Sequence, residues 1–110
     1  MNLLSSDDTL ADALLGHAKA EHEGLWRLPL HPPYKTLLRA EWGQIKNVGS
    51  REAGAATAAL FLQHFVAEDK SWAHVDIAGN AFLEKSNRYY ASGGTGEIVR
   101  TLASWIESLA

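Results

Sequence analysis

His74 and Asp76 are the pair in this 110-residue chain best spaced to do chemistry. They lie two apart in a strand-like run, W-A-H-V-D-I-A-G at 72–79, so both side chains leave the same face, about 7 Å apart. Neutral imidazole and carboxylate both ligate divalent ions, so a metal pair is one reading. A polar pair bonding neighbouring loops is the other, and it is preferred because no third ligand stands nearby. His17 and His22 miss the i, i+4 spacing that would aim both at one ion. They read as a partly buried helix residue and a surface residue. His31, next to Pro32, reads as a loop residue, and His64 as packing on a helix.

Other candidates are weaker. Gly93-Gly94-Thr95-Gly96 precedes a helix and could offer backbone N–H groups to an anion. It lacks the lysine of a Walker loop and the spacing of a dinucleotide fingerprint. A turn and N-cap is the preferred role, with a small free-standing anion-binding domain as the rival. No serine sits in G-x-S-x-G. Arg51-Glu52 reads as a salt-bridged helix start. Spacing alone therefore yields no complete catalytic constellation.

The elements that must position these residues follow from periodicity. Ser5 or Ser6 is expected to cap a first helix, with Asp7 and Asp8 in its first turn. Leu10, Leu14, His17, Ala18 and Glu21 continue it, and Gly24 suits its stop. Residues 25–30 read as a short extended run. The pair Pro32-Pro33 suits a helix start, with Tyr34, Leu37, Leu38 and Trp42 on one face. Residues 45–48 read as a short strand, and Gly49-Ser50 as a turn. Residues 52–66 are the clearest helix; Gly54, Ala55, Ala58 and Ala59 give it a smooth face, and Leu60, Phe61, Phe65 and Val66 add bulk at its far end. Residues 72–78 are the clearest strand. A last helix is expected over 96–109, with Ile98, Leu102, Trp105, Ile106 and Leu109 on one side.

Between them, residues 79–94 form a polar loop too long to be idle in a compact domain. In open α/β sheets ligands sit just past the carboxyl ends of strands, so Ala78 onward is expected to line part of a site. The alternation of elements predicts an α/β layer with largely parallel strands. Three short strands make a poor sheet, and the chain opens on a helix with no strand before it. It reads like the tail of a larger domain whose partner strands come from elsewhere.

Composition narrows the function classes. A net charge of −3 with scattered basic residues lacks the electrostatic footprint of a nucleic-acid binder. The absence of cysteine removes disulfides and thiolate metal sites and suits a reducing compartment. No secretory signal is visible, and the longest apolar run, 53–62, is too short to span a bilayer. No membrane partner is expected.

Read together, the segments resemble the leucyl aminopeptidase family, also called cytosol aminopeptidases. The resemblance rests on L-W-R-L-P-L at 25–30, K-N-V-G-S-R-E-A-G-A-A-T-A-A-L-F-L at 46–62, W-A-H-V-D-I-A-G at 72–79 and G-G-T-G-E-I-V-R-T-L at 93–102. N-L-L-S-S-D-D-T-L-A at 2–11 is similar to the segment upstream of the first of these. The resemblance covers almost the whole chain in natural order.

It implies the C-terminal part of an aminopeptidase catalytic domain over 1–110: an α/β fold, a portion of a helix-sandwiched mixed or parallel sheet. The implied activity is metal-dependent release of N-terminal amino acids, leucine-type, from peptide substrates. Two divalent ions, zinc or manganese, would serve the parent enzyme, which is implied to be a cytoplasmic homo-hexamer. The family's signature N-T-D-A-E-G-R, its ligating and catalytic lysines and its F-D-S-G-G run are missing from this sequence. Asp76 matches a family aspartate that is not a metal ligand, so His74 and Asp76 are set aside as ligands. No catalytic residue and no metal ligand carries over. Ala78 and Ala81 match positions lining the pocket for the substrate's first side chain. The chain alone is therefore expected to be inactive. The rival expectation is a non-catalytic assembly module that completes an α/β sheet with a companion upstream fragment or with itself.

Overall fold

The computed structural model describes residues 1–49 and 51–110; the expected turn at Gly49-Ser50 falls partly on Ser50, which lies outside the described residues. The sheet is built from β1 (Asn2–Ser5), β2 (Trp26–Arg27) and β3 (Ala73–Asp76) in the order β2-β1-β3. β1 pairs parallel with β2, Asn2 facing Trp26, and antiparallel with β3, Leu4 facing His74. The sheet is thus mixed rather than largely parallel. The parallel pair β1 and β2 is joined through a helix, α1 (Asp8–Ala20), which is the connection such a pair requires.

β1 corrects the expectation that the chain opens on a helix. Its neighbours Leu3 and Leu4 are both 0% exposed and point to opposite faces of the central strand. Leu3 packs with Ala11 and Leu14 of α1, and with Leu102 and Trp105 of α3 (Val99–Glu107). Leu4 packs with Ala56 and Ala59 of α2 (Gly54–Gln63), beside Trp72. Helices therefore cover both faces, each leucine contributing about 1.5–3 kcal/mol of burial.

The strand also displaces the expected cap. Ser5 is drawn into β1, where its hydroxyl donates to the Trp72 carbonyl (2.7 Å) and accepts from the Asp7 amide (3.0 Å). Asp7 takes the N-cap position instead, its carboxylate accepting the Leu10 N–H at 3.0 Å. The Ser71 hydroxyl also donates to that carboxylate. Both bonds favour the charged form, Ser71 foremost, and hold the Asp7 carboxyl below its ordinary 3.8. Its folded value lies under its unfolded one, so its contribution is complete above 3.8 and is lost as pH falls through the lowered value. Asp7→Ala is expected to lower the thermal midpoint at neutral pH, the gap to the parent closing on acidification below the carboxyl range. Melting curves at a series of pH values check this; a gap independent of pH would refute it.

Other elements shift for local reasons. Pro32–Leu38 winds as a short 3-10 helix, with the Tyr34 N–H on the His31 carbonyl. Leu38 is buried, but Trp42 lies beyond the helix and is 92% exposed, so the expected four-residue face does not form. Residues 45–48 form no strand; the Lys46 N–H bonds the Leu38 carbonyl. α2 begins at Gly54 after Ala53 in the left-handed region, so Arg51 and Glu52 precede it rather than open it. Its buried face is Ala56, Thr57, Ala59 and Leu60, rotated from the expected small-residue face. Gly49 passes so close to Thr57 that an added Cβ would stand 3.3 Å from its methyl group. On α3, which ends at Glu107, Leu102 and Trp105 pack inward, whereas Ile106 and, beyond the helix, Leu109 are exposed.

Candidate functional site

The site candidate begins where β3 ends. Asp76 turns its carboxylate back on the chain and accepts the Ala78 N–H at 2.9 Å, an Asx-type turn. The Asn80 and Ala81 amides both donate to the Ile77 carbonyl, at 2.9 and 3.0 Å. Ala78 and Ala81 are thereby brought onto one tight turn at the carboxyl end of the strand, Ala78 exposed and Ala81 half-buried.

The segment that follows is more ordered than a structureless loop. β4 (Phe82–Leu83) pairs antiparallel with β5 (Gly93–Gly94), leaving 84–92 as the connecting loop. Gly93 sits at φ +114°, a conformation that side chains with a Cβ rarely adopt. Asn87 organises the tip, its side-chain oxygen accepting the Tyr89 and Tyr90 N–H groups at 2.8 Å each.

Thr95 then ties the hairpin to the turn. Its amide donates to the Ala81 carbonyl at 3.0 Å and its hydroxyl to the Asn80 carbonyl at 2.7 Å. The Asn80 side-chain amide donates to Glu97 at 2.7 Å. Gly93–Gly96 thus serves as strand and turn, with Thr95 engaged inside the molecule. It does not cap α3, whose N-cap position is Ile98, an apolar residue at φ +74° that makes no side-chain cap bond. The cap comes from Glu23, between α1 and β2. Its Oε2 accepts the Thr101 amide at 2.9 Å and the Thr101 hydroxyl at 2.6 Å. Its other oxygen is an ion-pair distance, 3.4 Å, from Arg100 but makes no hydrogen bond.

Glu23 and Glu97 were missed by reasoning from spacing, whereas Thr95 lay in the Gly93–Gly96 turn already singled out. Only Glu97 carried a signal, as an acidic residue just ahead of a helix. The histidines stand apart from one another. His74 stacks on Trp72, with ring centroids 6.2 Å apart. His17 pairs with the Ser104 hydroxyl at 2.9 Å across the α1–α3 contact. His22 is exposed, and His31 and His64 lie edge-on to Tyr34 and Phe65. The Asp76 carboxylate is engaged in the turn through Oδ1, and the His74 ring in its stack on Trp72. No three His, Asp or Glu side chains converge as metal ligands among the described residues. The donor set of the described residues offers no three-ligand site for a divalent ion.

Comparison with known proteins decides the family. A profile of the catalytic domain of the cytosol aminopeptidase family matches residues 1–103. The chain belongs to the cytosol aminopeptidase family. It is 49% identical over 104 residues to a probable cytosol aminopeptidase of Parasynechococcus marenigrum, covering 94% of this chain and 21% of that protein. The cytosol aminopeptidase of Coxiella burnetii superposes with a TM-score of 0.88 at 38% identity, covering 97% of this chain and 23% of that one. The bottromycin maturation enzyme BotP, solved in complex with Mn, superposes at 0.92 with 37% identity, covering 98% and 24%. The chain therefore spans about a fifth of the length of the curated relatives it matches. Its α/β fold, helices around a small mixed sheet, is the fold of part of the aminopeptidase catalytic domain. No helix among the described residues is long and apolar enough to cross a membrane.

Proposed function

We propose that this chain is the C-terminal part of a metal-dependent aminopeptidase catalytic domain, and that it supplies one wall of the pocket for the substrate's first side chain. Ala78 and Ala81 form that wall. The observation that carries the reading is their shared turn at the end of β3, where α/β sheets present ligand contacts, in a chain matched to aminopeptidases along 94% of its length. Methyl side chains there leave room for a bulky apolar residue such as leucine.

The divalent ions, zinc or manganese, and the groups that hold them belong to polypeptide outside these residues. What this chain contributes is shape, a dry apolar contact and a fixed backbone. The complete enzyme works on peptides in the cytoplasm as a homo-hexamer.

The purified chain is expected to show no turnover of leucine p-nitroanilide with added Mn²⁺ or Zn²⁺. Joined to the portion of the Coxiella burnetii enzyme that lies outside the matched region, it is expected to restore turnover. Hydrolysis by the chain alone would overturn the first expectation, and an inactive but folded fusion the second.

A second reading, an assembly module without chemistry of its own, draws on exposed aromatic surface. Trp26 is 71% and Phe65 65% exposed. Trp42, Val48 and Phe65 rim an open groove of about 490 Å³. Patches of this kind mark docking surfaces, and the occupant proposed is the remainder of the same catalytic domain. The two readings are compatible: an active fusion fits both, and an altered side-chain preference on enlarging Ala81 in that fusion would single out the pocket wall.

A further inference from the structure

We propose that Asn80 and Glu97 are positioning residues that set the side-chain preference of the wall carrying Ala78 and Ala81; this rests on the pocket reading given above. Three bonds join the 77–81 turn to the segment leading into α3. Two of them end on backbone carbonyls, of Ala81 and Asn80, and would survive most substitutions at those positions. The third, from the Asn80 amide to the Glu97 carboxylate, is specific to both side chains. It is short, 2.7 Å, charge-assisted and partly buried, and it spans 17 residues of chain.

Glu97 is itself well placed to hold a reference point. Its amide rests on the Thr95 hydroxyl at 3.3 Å, and the next residue, Ile98, is buried. Thr101, one turn on, is held by Glu23. The bond to Asn80 therefore refers the position of the turn to the helix layer and, through it, to the sheet. Without it, among the described residues, the hydrogen bonds holding the turn across the chain are those of Thr95 and of the two residue pairs of the β4–β5 hairpin. In an apolar pocket a misfit of about one methylene changes discrimination by roughly 10–200-fold, so a small displacement of this wall is enough to alter substrate choice.

The donor and acceptor can be exchanged, and this gives the test. Asn80→Asp sets two carboxylates face to face, whereas Asn80→Asp with Glu97→Gln restores one amide and one carboxylate in swapped order. In the 110-residue chain, Asn80→Asp is expected to speed hydrogen exchange of the Ala81 and Thr95 amides about ten-fold at pH 7. The swapped pair should return both to the parental rate, and the Thr101 amide should not change in either variant. In the fusion enzyme, Asn80→Asp is expected to shift the leucine-over-phenylalanine ratio of kcat/KM by about three-fold or more, chiefly through KM, and the swapped pair to recover it.

Unchanged exchange in Asn80→Asp, no recovery by the swapped pair, or a loosened turn with unaltered preference would each overturn the inference. A parental fusion that folds but does not turn over removes the pocket reading and this role with it. An active parental fusion with indifferent variants removes this role alone.

Discussion

Glu23→Ala is expected to lower the stability of the chain by about 2–3 kcal/mol, read as a fall in the urea midpoint with an unchanged slope. The first amides of a helix have no partner within it. In α3 the side chain of the N-cap residue Ile98 cannot accept a bond, so Glu23 does so from a distant part of the chain. Glu23 is 4% and Thr101 0% exposed, and truncation would leave an N–H and an O–H buried without acceptors. Each such orphan costs about 1–3 kcal/mol, offset in part by release of the carboxylate's own desolvation cost. The negative charge beside the positive end of the α3 dipole is lost as well. Glu23→Gln keeps an acceptor for both donors and is expected to retain most of the stability. Arg100 is half-exposed and donates to the Tyr90 hydroxyl, but it also faces the buried Glu23 carboxylate at 3.4 Å, so Arg100→Ala should destabilise as well, by leaving that charge unpaired. Equal losses in Glu23→Gln and Glu23→Ala would mean that charge, not the capping bonds, is what matters.

Leu4→Ala is expected to cost about 3 kcal/mol, within the 2–5 typical of a fully buried leucine. Leu4 is the bulk that β1 sends toward α2, and the helix meets it with Ala56 and Ala59. Those alanines have no atoms with which to fill a cavity, and Leu28, Leu30 and Trp72 at its margin can move only partly inward. Leu3→Ala opens an equivalent hole on the α1–α3 side, lined by the larger Leu14, Leu102 and Trp105. It should relax more and cost somewhat less. Total stability of about 5–15 kcal/mol makes either loss easy to measure by equilibrium unfolding. A cost below 1 kcal/mol at Leu4 would show that the α2 layer is not seated on β1 as described.

The two substitutions mark the boundary of what local pattern could reveal. α1, α2, α3 and β3 were all visible as period or as a β-rich run, because helical and pleated geometry repeat over a few residues. β1 was not, since a strand covered on both faces shows no alternation and Leu3-Leu4 looks like a lead-in to the helix. Ile45 and Val48 erred the other way: they favour strands, yet among the described residues no strand pairs with them. Ser5 and Ser6 were plausible caps until β1 claimed the first of them.

At the candidate site the division is similar. A polar segment after a β-rich run marked the place, and resemblance to aminopeptidases marked Ala78 and Ala81. Types and spacing alone could not have done so, because alanine carries no chemical signal. The same sequence settled the family, through residues in matching order along nearly the whole chain. Tertiary structure decided which strand sits at the centre, which acid caps α3 and which bond steadies the turn. Those pairings join residues 17, 67 and 78 apart in the chain. Their stability depends on loop closure and burial, which leave no trace in the few residues on either side of each partner.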